Sequence, residues 1–258
     1  MMLYPLDVES RLASHIRKLS RELGLRLLQP AELLPEARKR LIILGGGTPD
    51  DYAIALVAHA CDGEETVAIT TPMVPGRPSE PRPTRLEAIR SLKELLSSQS
   101  RLSKAVLVID RDRDPLSDIT GETVRVLTKY GIRPLEQPRE FVGGWVKAIS
   151  CQHGAKTRFD FLLLVQGMGL NQVYASDTVE VHLLEAGRQA LGDDLIRQAL
   201  KGAKDPSDRQ GRADPKLAWG RLDKDEHWEV FRWLDQHPDE IRRFFRQHYE
   251  ALRLLREG

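Results

Sequence analysis

Ala105-Val106-Leu107-Val108-Ile109-Asp110-Arg111-Asp112-Arg113-Asp114-Pro115 decides the fold. The stretch opens with five apolar residues that have no polar alternation. Such a run is too short for an ordinary helix, and it predicts a strand covered on both faces. Working outward, Leu41-Ile42-Ile43-Leu44 ends in Gly45-Gly46-Gly47 and reads as a second buried strand. Thr66 to Thr70 and Phe159 to Val165 are two more. Helical stretches separate them. Strand and helix in alternation, with wholly apolar strands, predict an α/β fold with a mostly parallel central sheet flanked by helices.

The helices carry their own punctuation. Asp7 is placed to cap a segment in which Leu12, Ile16, Leu19 and Leu23 recur at helical spacing before Gly24. A short helix is expected around Pro30 to Arg40. Thr48-Pro49-Asp50-Asp51 reads as a helix start, with Thr48 as N-cap and two acids in the first turn of a helix from Tyr52 to Cys61. Pro72, Pro75, Pro78, Pro81 and Pro83, interleaved with Arg77, Arg82 and Arg85, predict an exposed loop. Thr84-Arg85-Leu86-Glu87 has capping-box spacing for a helix to about Leu96. Further helices are expected over about 121–130, 177–191, 224–235 and 238–256, with a long polar loop from Lys201 to Asp223. These signals divide the chain into an N-terminal helical segment (1–40), an α/β unit (41–200) and a loop with C-terminal helices (201–258).

Composition narrows the function classes. Of 258 residues, 41% are hydrophobic, enough for a globular core, and Lys and Arg (39) balance Asp and Glu (38). Bulk attraction to nucleic acid or to an acidic membrane is therefore not expected, although a local basic patch is compatible with these totals. No apolar run has the length of a membrane span, and the first residues do not have the pattern of a secretion signal. Two cysteines, Cys61 and Cys151, make neither a disulfide framework nor a Cys-rich zinc site, so a cytoplasmic location is expected.

The chemistry points back to the opening stretch. In an open parallel sheet, ligands sit outside the carboxyl ends of the strands. If the chain remains extended past Ile109, Asp110, Asp112 and Asp114 project to one side and Arg111 and Arg113 to the other. Converging carboxylates are hard oxygen ligands suited to Mg²⁺ or Mn²⁺, and the arginines are candidates for phosphate contacts together with Arg77. A polar turn with surface Asp–Arg pairs is the plainer alternative. Gly45, Gly46 and Gly47 are candidate cofactor-binding positions, but they form neither a dinucleotide fingerprint nor a P-loop. A phosphate there would meet Asp50 and Asp51, whose simplest role is to stabilise a helix N-terminus. Cys151-Gln152-His153 is expected in a loop rather than as a nucleophile–base pair. Gly167-Met168-Gly169 marks a turn at the lip of the same crevice. Trp228, Trp233, Phe244, Phe245 and Tyr249 recur at near-helical spacing, which packing between the terminal helices explains.

An apolar strand ending in Asp110-Arg111-Asp112, preceded by a strand–glycine turn–helix unit, resembles the Toprim domain shared by topoisomerases, primases and the overcoming-lysogenization-defect nucleases. Asp177-Thr178-Val179-Glu180-Val181-His182-Leu183-Leu184 and Asp214-Pro215-Lys216-Leu217-Ala218-Trp219 resemble segments of small uncharacterised members. The likeness spans roughly residues 38–235. It implies Mg²⁺-dependent nuclease-type chemistry on nucleic acid or another phosphoester, with Asp110 and Asp112 holding the metal. Where the family's first strand ends in a Glu followed by Gly, this chain has Gly45 or Gly46, so Asp50, Asp51 or Glu180 is the candidate substitute. Gly45→Glu or Gly46→Glu is the variant expected to restore the acid. The alternative expectation is a catalytically degenerate domain that binds nucleotide, nucleic acid or protein. A third is a phosphatase-like enzyme using Asp110 and Asp112 as nucleophile and acid.

Overall fold

The computed structural model describes residues 1–28, 39–61, 63, 65–72, 83–98, 102–155 and 157–257. Most of the helix expected near 30–40, and the stretch containing Arg77 and Arg82, lie outside the described residues. The strands are β1 (Met2–Pro5), β2 (Arg40–Leu44), β3 (Thr66–Thr70), β4 (Lys104–Asp110), β5 (Ile132–Pro134), β6 (Arg139–Phe141), β7 (Val146–His153) and β8 (Thr157–Gln166). They form one sheet in the order β1-β3-β2-β4-β8-β7-β5, with β6 also on β7. From β1 to β8 the pairing is parallel, and β7 joins β5, β6 and β8 antiparallel. The fold is thus α/β with a mostly parallel mixed sheet.

The apolar strands are explained by burial on both faces. Ile42 and Leu44, Val106 and Val108, and Leu162 and Leu164 face one core. Leu41 and Ile43, Leu107 and Ile109, and Leu163 and Val165 face the other. The helices are α1 (Arg11–Leu23), α2 (Asp50–Ala60), α3 (Ile89–Ser98, after a 3₁₀ turn at Arg85–Ala88), α4 (Leu116–Lys129), α5 (Val179–Ala190) and α6 (Asp193–Gly202). They continue with α7 (Pro215–Trp219), α8 (Lys224–Gln236), α9 (Pro238–Phe244) and α10 (Arg246–Arg256). Residues of α1, α2, α5, α8 and α10 share the first core, whereas those of α3 and α4 share the second. α2 is apolar almost all round, as a helix enclosed on every side must be, and Asp50 through Ala58 are all buried.

Several local expectations are corrected. Ser10, not Asp7, caps α1, its hydroxyl accepting from Ala13 N–H at 3.2 Å. Pro49 rather than Thr48 occupies the N-cap of α2, without a side-chain bond. Thr84 makes no capping bond, and a 3₁₀ turn precedes α3. The helix expected from 177 begins at Val179, with Thr178 as the N-cap of α5. The N-terminal segment supplies edge strand β1 as well as α1. Residues 201–223 are not all loop, because Asp214 accepts from Lys216 and Leu217 N–H and starts α7. Cys151 and His153 lie on β7, where Cys151 is buried in the second core. The last helix is broken at Phe245, which leaves helical geometry at φ −113° and ψ 37°.

The sheet order places the crevice. From β2 the chain moves through α2 to β3 on one side, then crosses through α3 to β4 on the other. These opposite connections create a topological switch point between the carboxyl ends of β2 and β4, where open α/β sheets bind ligands.

Candidate functional site

Alternation along β4 puts Asp110 on the face of Val106 and Val108, the side covered by α2 and α5. Gln166 ends β8 on the same face and is the register partner of Asp110. Its Nε2 donates to Asp50 Oδ1 and, at 3.1 Å, to Asp110 Oδ1. Its Oε1 accepts from His248 Nε2 at 2.9 Å, which fixes the orientation of the amide. Val179 N–H, at the start of α5, donates to Asp110 Oδ1 at 3.3 Å. Lys216, on α7, places Nζ 3.0 Å from Asp110 Oδ2. Strand ends, two helix starts and a short helix thus converge on one carboxylate.

Asp50 and Glu180 surround Asp110 at the first turns of α2 and α5. Asp50 is buried, and burial first, then the charge of Asp110, raises its carboxyl well above the ordinary range against the Gln166 donor. Burial also raises Glu180, with Asp110 adding to it and the Thr178 hydroxyl and Lys216 opposing. Glu180 Oε2 is buried without a hydrogen-bond partner among the described residues. Asp112 is raised by burial and by Asp110, against Lys216 and Arg85. Burial lowers Lys216, but Asp110, Glu180 and Asp112 together outweigh it and leave the ammonium raised. The charge of Asp110 thus reaches Asp50, Asp112 and Glu180, and the Lys216 ammonium opposes it at Asp112 and Glu180.

The acidic run is not extended, which corrects the expected alternation. Asp112 has φ 57°, in the left-handed region, and its backbone pairs with Asp177 through N–H···O bonds of 2.9 and 2.8 Å. Arg111 turns inward, donating to Asp177 Oδ2 at 2.8 Å with its guanidinium 5.4 Å from the centre of the Trp145 ring. Arg113 pairs with Asp205. Both arginines are thus engaged by the protein itself. Asp114 is paired with Arg85 at 2.5 Å, with Asp112 3.6 Å from the same guanidinium. Asp51 turns to α1, its Oδ2 2.7 Å from His15 Nδ1. Among the described residues, no group of three or more His, Cys, Asp or Glu side chains stands in an arrangement that could hold a metal ion.

The glycine turn is closed rather than open. A Cβ at Gly46 would lie 2.7 Å from Asp50 Oδ2, and one at Gly45 would lie 2.8 Å from Val108 O and 3.1 Å from Ile109 Cγ2. Neither position has room for Glu, so neither acid-restoring variant fits this backbone. Gly47 has open space around it. The carboxyl of Asp50 itself lies against the turn.

Sequence reasoning missed Gln166, His182 and His248. The first had a signal, a lone polar residue ending an apolar strand. The histidines lie on α5 and α10 and look like ordinary helix residues. Gly167 N–H and the Gln247 amide donate to His182 Nε2 at 3.0 Å each, and His182 Nδ1–H donates to Phe244 O at 2.6 Å. Beside the carboxylates a cleft of about 460 Å³ opens, lined by Glu180, Lys216, Trp219, Trp228 and neighbours. No helix among the described residues is long and apolar enough to cross a membrane. Neither a family model, nor a curated protein, nor a solved structure matches this chain.

Proposed function

We propose that this protein acts on a phosphoester of nucleic acid or nucleotide in the cytoplasm, using Mg²⁺ or Mn²⁺ held by Asp110 and Asp112. The observation that supports this reading is the convergence of Asp110, Asp112 and Glu180 on Lys216 at the sheet's switch point, with Asp50 joined to Asp110 through Gln166. The donor set suits such an ion in its chemistry, whereas no three of the described side chains are arranged as a group that would hold one. It is made of hard carboxylate oxygens, its negative charge exceeds what one lysine neutralises, and Glu180 Oε2 has no partner among the described residues. When bound, the ion would neutralise phosphoryl oxygens as charge builds in the transition state.

The chain's own residues do the rest. Gln166 orients Asp110 and Asp50 together. Asp50 and Glu180, both held above the ordinary carboxylate range, are suited to give a proton to a leaving oxygen or take one from attacking water. Lys216 supplies a fixed positive charge next to the reacting group. In the Toprim-like reading, Asp50 substitutes for the missing acid, because its carboxyl occupies the space a side chain at 46 would enter.

A titration of thermal stability with Mg²⁺ and Mn²⁺ tests the proposal. The metal is expected to raise the wild-type melting temperature by linkage, and Asp110→Asn/Asp112→Asn is expected to abolish the response. Metal-dependent phosphodiester hydrolysis should fall about 100-fold or more in Asp112→Asn. Full activity in that variant would sink the assignment. A second reading is a binding domain without catalysis, and it is favoured by the Lys216 ammonium 3.0 Å from Asp110, already in a cation's place. Absence of any metal response in the wild type would select it.

A further inference from the structure

The cleft beside the carboxylates has a composition that the phosphoester chemistry does not require. Its wall includes Trp219 and Trp228, both mostly buried, and three lysines, Lys18, Lys216 and Lys224, border it. Trp219 is braced from one side by His227, stacked at 4.2 Å and 17°. Lys18 Nζ stands 5.2 Å from the centre of the Trp228 ring. Lys216 is shared with Asp110, whereas Lys18 and Lys224 make no ion pair among the described residues. Glu180 lines the cleft too, and its buried Oε2 has no donor among the described residues.

These features specify a ligand by parts. A cavity of about 460 Å³ takes one small molecule rather than a polymer. Three ammonium groups around so small a volume call for a dense anion, and a phosphate monoester carries about two negative charges where a carboxylate carries one. Tryptophan faces favour a planar ring. A carboxyl oxygen with no partner among the described residues suits a hydrogen donor, which a sugar hydroxyl or an exocyclic amino group provides. A ring, a phosphate and a hydroxyl in one small molecule describe a nucleotide.

We propose that this cleft binds a single nucleoside monophosphate unit, its ring against the tryptophan wall, its phosphate among the lysines and a donor group on Glu180. The inference rests on the reading of the adjoining carboxylates as a phosphoester site, and it names that site's substrate class as a mononucleotide or a strand's terminal nucleotide.

Calorimetric titration of the full chain with AMP, GMP, CMP and UMP, in the presence of EDTA, tests the cleft without the metal. At least one nucleotide is expected to bind saturably, about tenfold or more tighter than its nucleoside or ribose 5-phosphate. Lys18→Ala/Lys224→Ala, at partly or fully exposed positions, should weaken that binding about tenfold while leaving the melting temperature unchanged. Saturable binding by none of the four overturns the proposal. So does ribose 5-phosphate binding as tightly as the nucleotide, or affinity unchanged in the double variant. The metal titration of the wild type, set beside its nucleotide affinity, separates the two ideas. Retained nucleotide affinity with no metal response in the wild type leaves the cleft standing and the phosphoester reading refuted. A metal response without nucleotide affinity does the reverse.

Discussion

Gly46 and Asp50 are four residues apart and meet across the turn that leaves β2. A methyl group at 46 would press on Asp50 Oδ2 at 2.7 Å and on its Cγ at 2.9 Å. Asp50 has little room to yield, because it is buried and held by Gln166. Gly46→Ala is therefore expected to destabilise the protein by about 1–3 kcal/mol through overpacking. Adding Asp50→Ala should recover part of that loss, since the two sites share one volume. Chemical denaturation of both single variants and the double gives the coupling, and strict additivity would mean that Asp50 does not fill the turn. This contact was illegible in the sequence. The glycines suggested a missing acid, whereas their physical role is to admit an acid that comes four residues later. Asp110 was legible, because a charged residue ending a buried strand must face a ligand, a partner or solvent. Which of its neighbours followed it into the crevice was not, because φ 57° at Asp112 breaks the alternation from which the arginine and aspartate faces were assigned.

At the scale of elements, one buried carboxylate ties together the exits of β4 and β8. Asp177 Oδ1 accepts from Met168 and Gly169 N–H at 3.0 Å each, and Oδ2 accepts from Arg111 at 2.8 Å. The backbone bridge from Asp177 to Asp112 closes the same knot just before α5 begins. Asp177→Asn keeps an acceptor but removes the negative charge opposite the Arg111 guanidinium, at a cost of about 2 kcal/mol or more. Gly167→Ala should cost more, because its Cβ would come 2.2 Å from Asp177 Cβ at φ 133°. Equilibrium unfolding in urea measures both, and a neutral Asp177→Asn would show that the knot is incidental. The central parallel strands β2, β3, β4 and β8 were legible from composition because both their faces are apolar, whereas the short edge strand β1 was not. β7 was not, since Val146-Lys147-Ala148-Ile149-Ser150-Cys151-Gln152-His153 mixes polar residues into an antiparallel strand with a partly exposed end. The break at Phe245 also carried no signal, because neither glycine nor proline marks it.

Across the whole molecule, the core that covers α2 also encloses two histidines, His182 and His248, both fully buried. Hydrogen bonds run from Asp50 through Gln166 to His248, and the His182 ring packs edge-on against His248 with 5.0 Å between ring centres. Burial lowers His182 from its ordinary 6.5 to about 4. Burial, then the neighbouring His182, lowers His248 well below 6.5. The native protein therefore holds both neutral where the unfolded chain binds protons. Stability is expected to fall as pH drops from 6.5 towards 4, by up to about 1.4 kcal/mol per pH unit for each histidine. The raised carboxyls of Asp50, Asp112 and Glu180 act with the opposite sign, since the native state binds their protons before the unfolded chain does. The wild-type curve is the difference of the two and is shallower than the histidines alone would make it. His248→Gln retains an amide donor for Gln166 and does not titrate, so it removes one histidine contribution and leaves the carboxyls in place. Unfolding free energies between pH 7 and pH 4.5 should then decline less steeply with acid in the variant than in the wild type. Parallel curves would place the acid sensitivity outside this core.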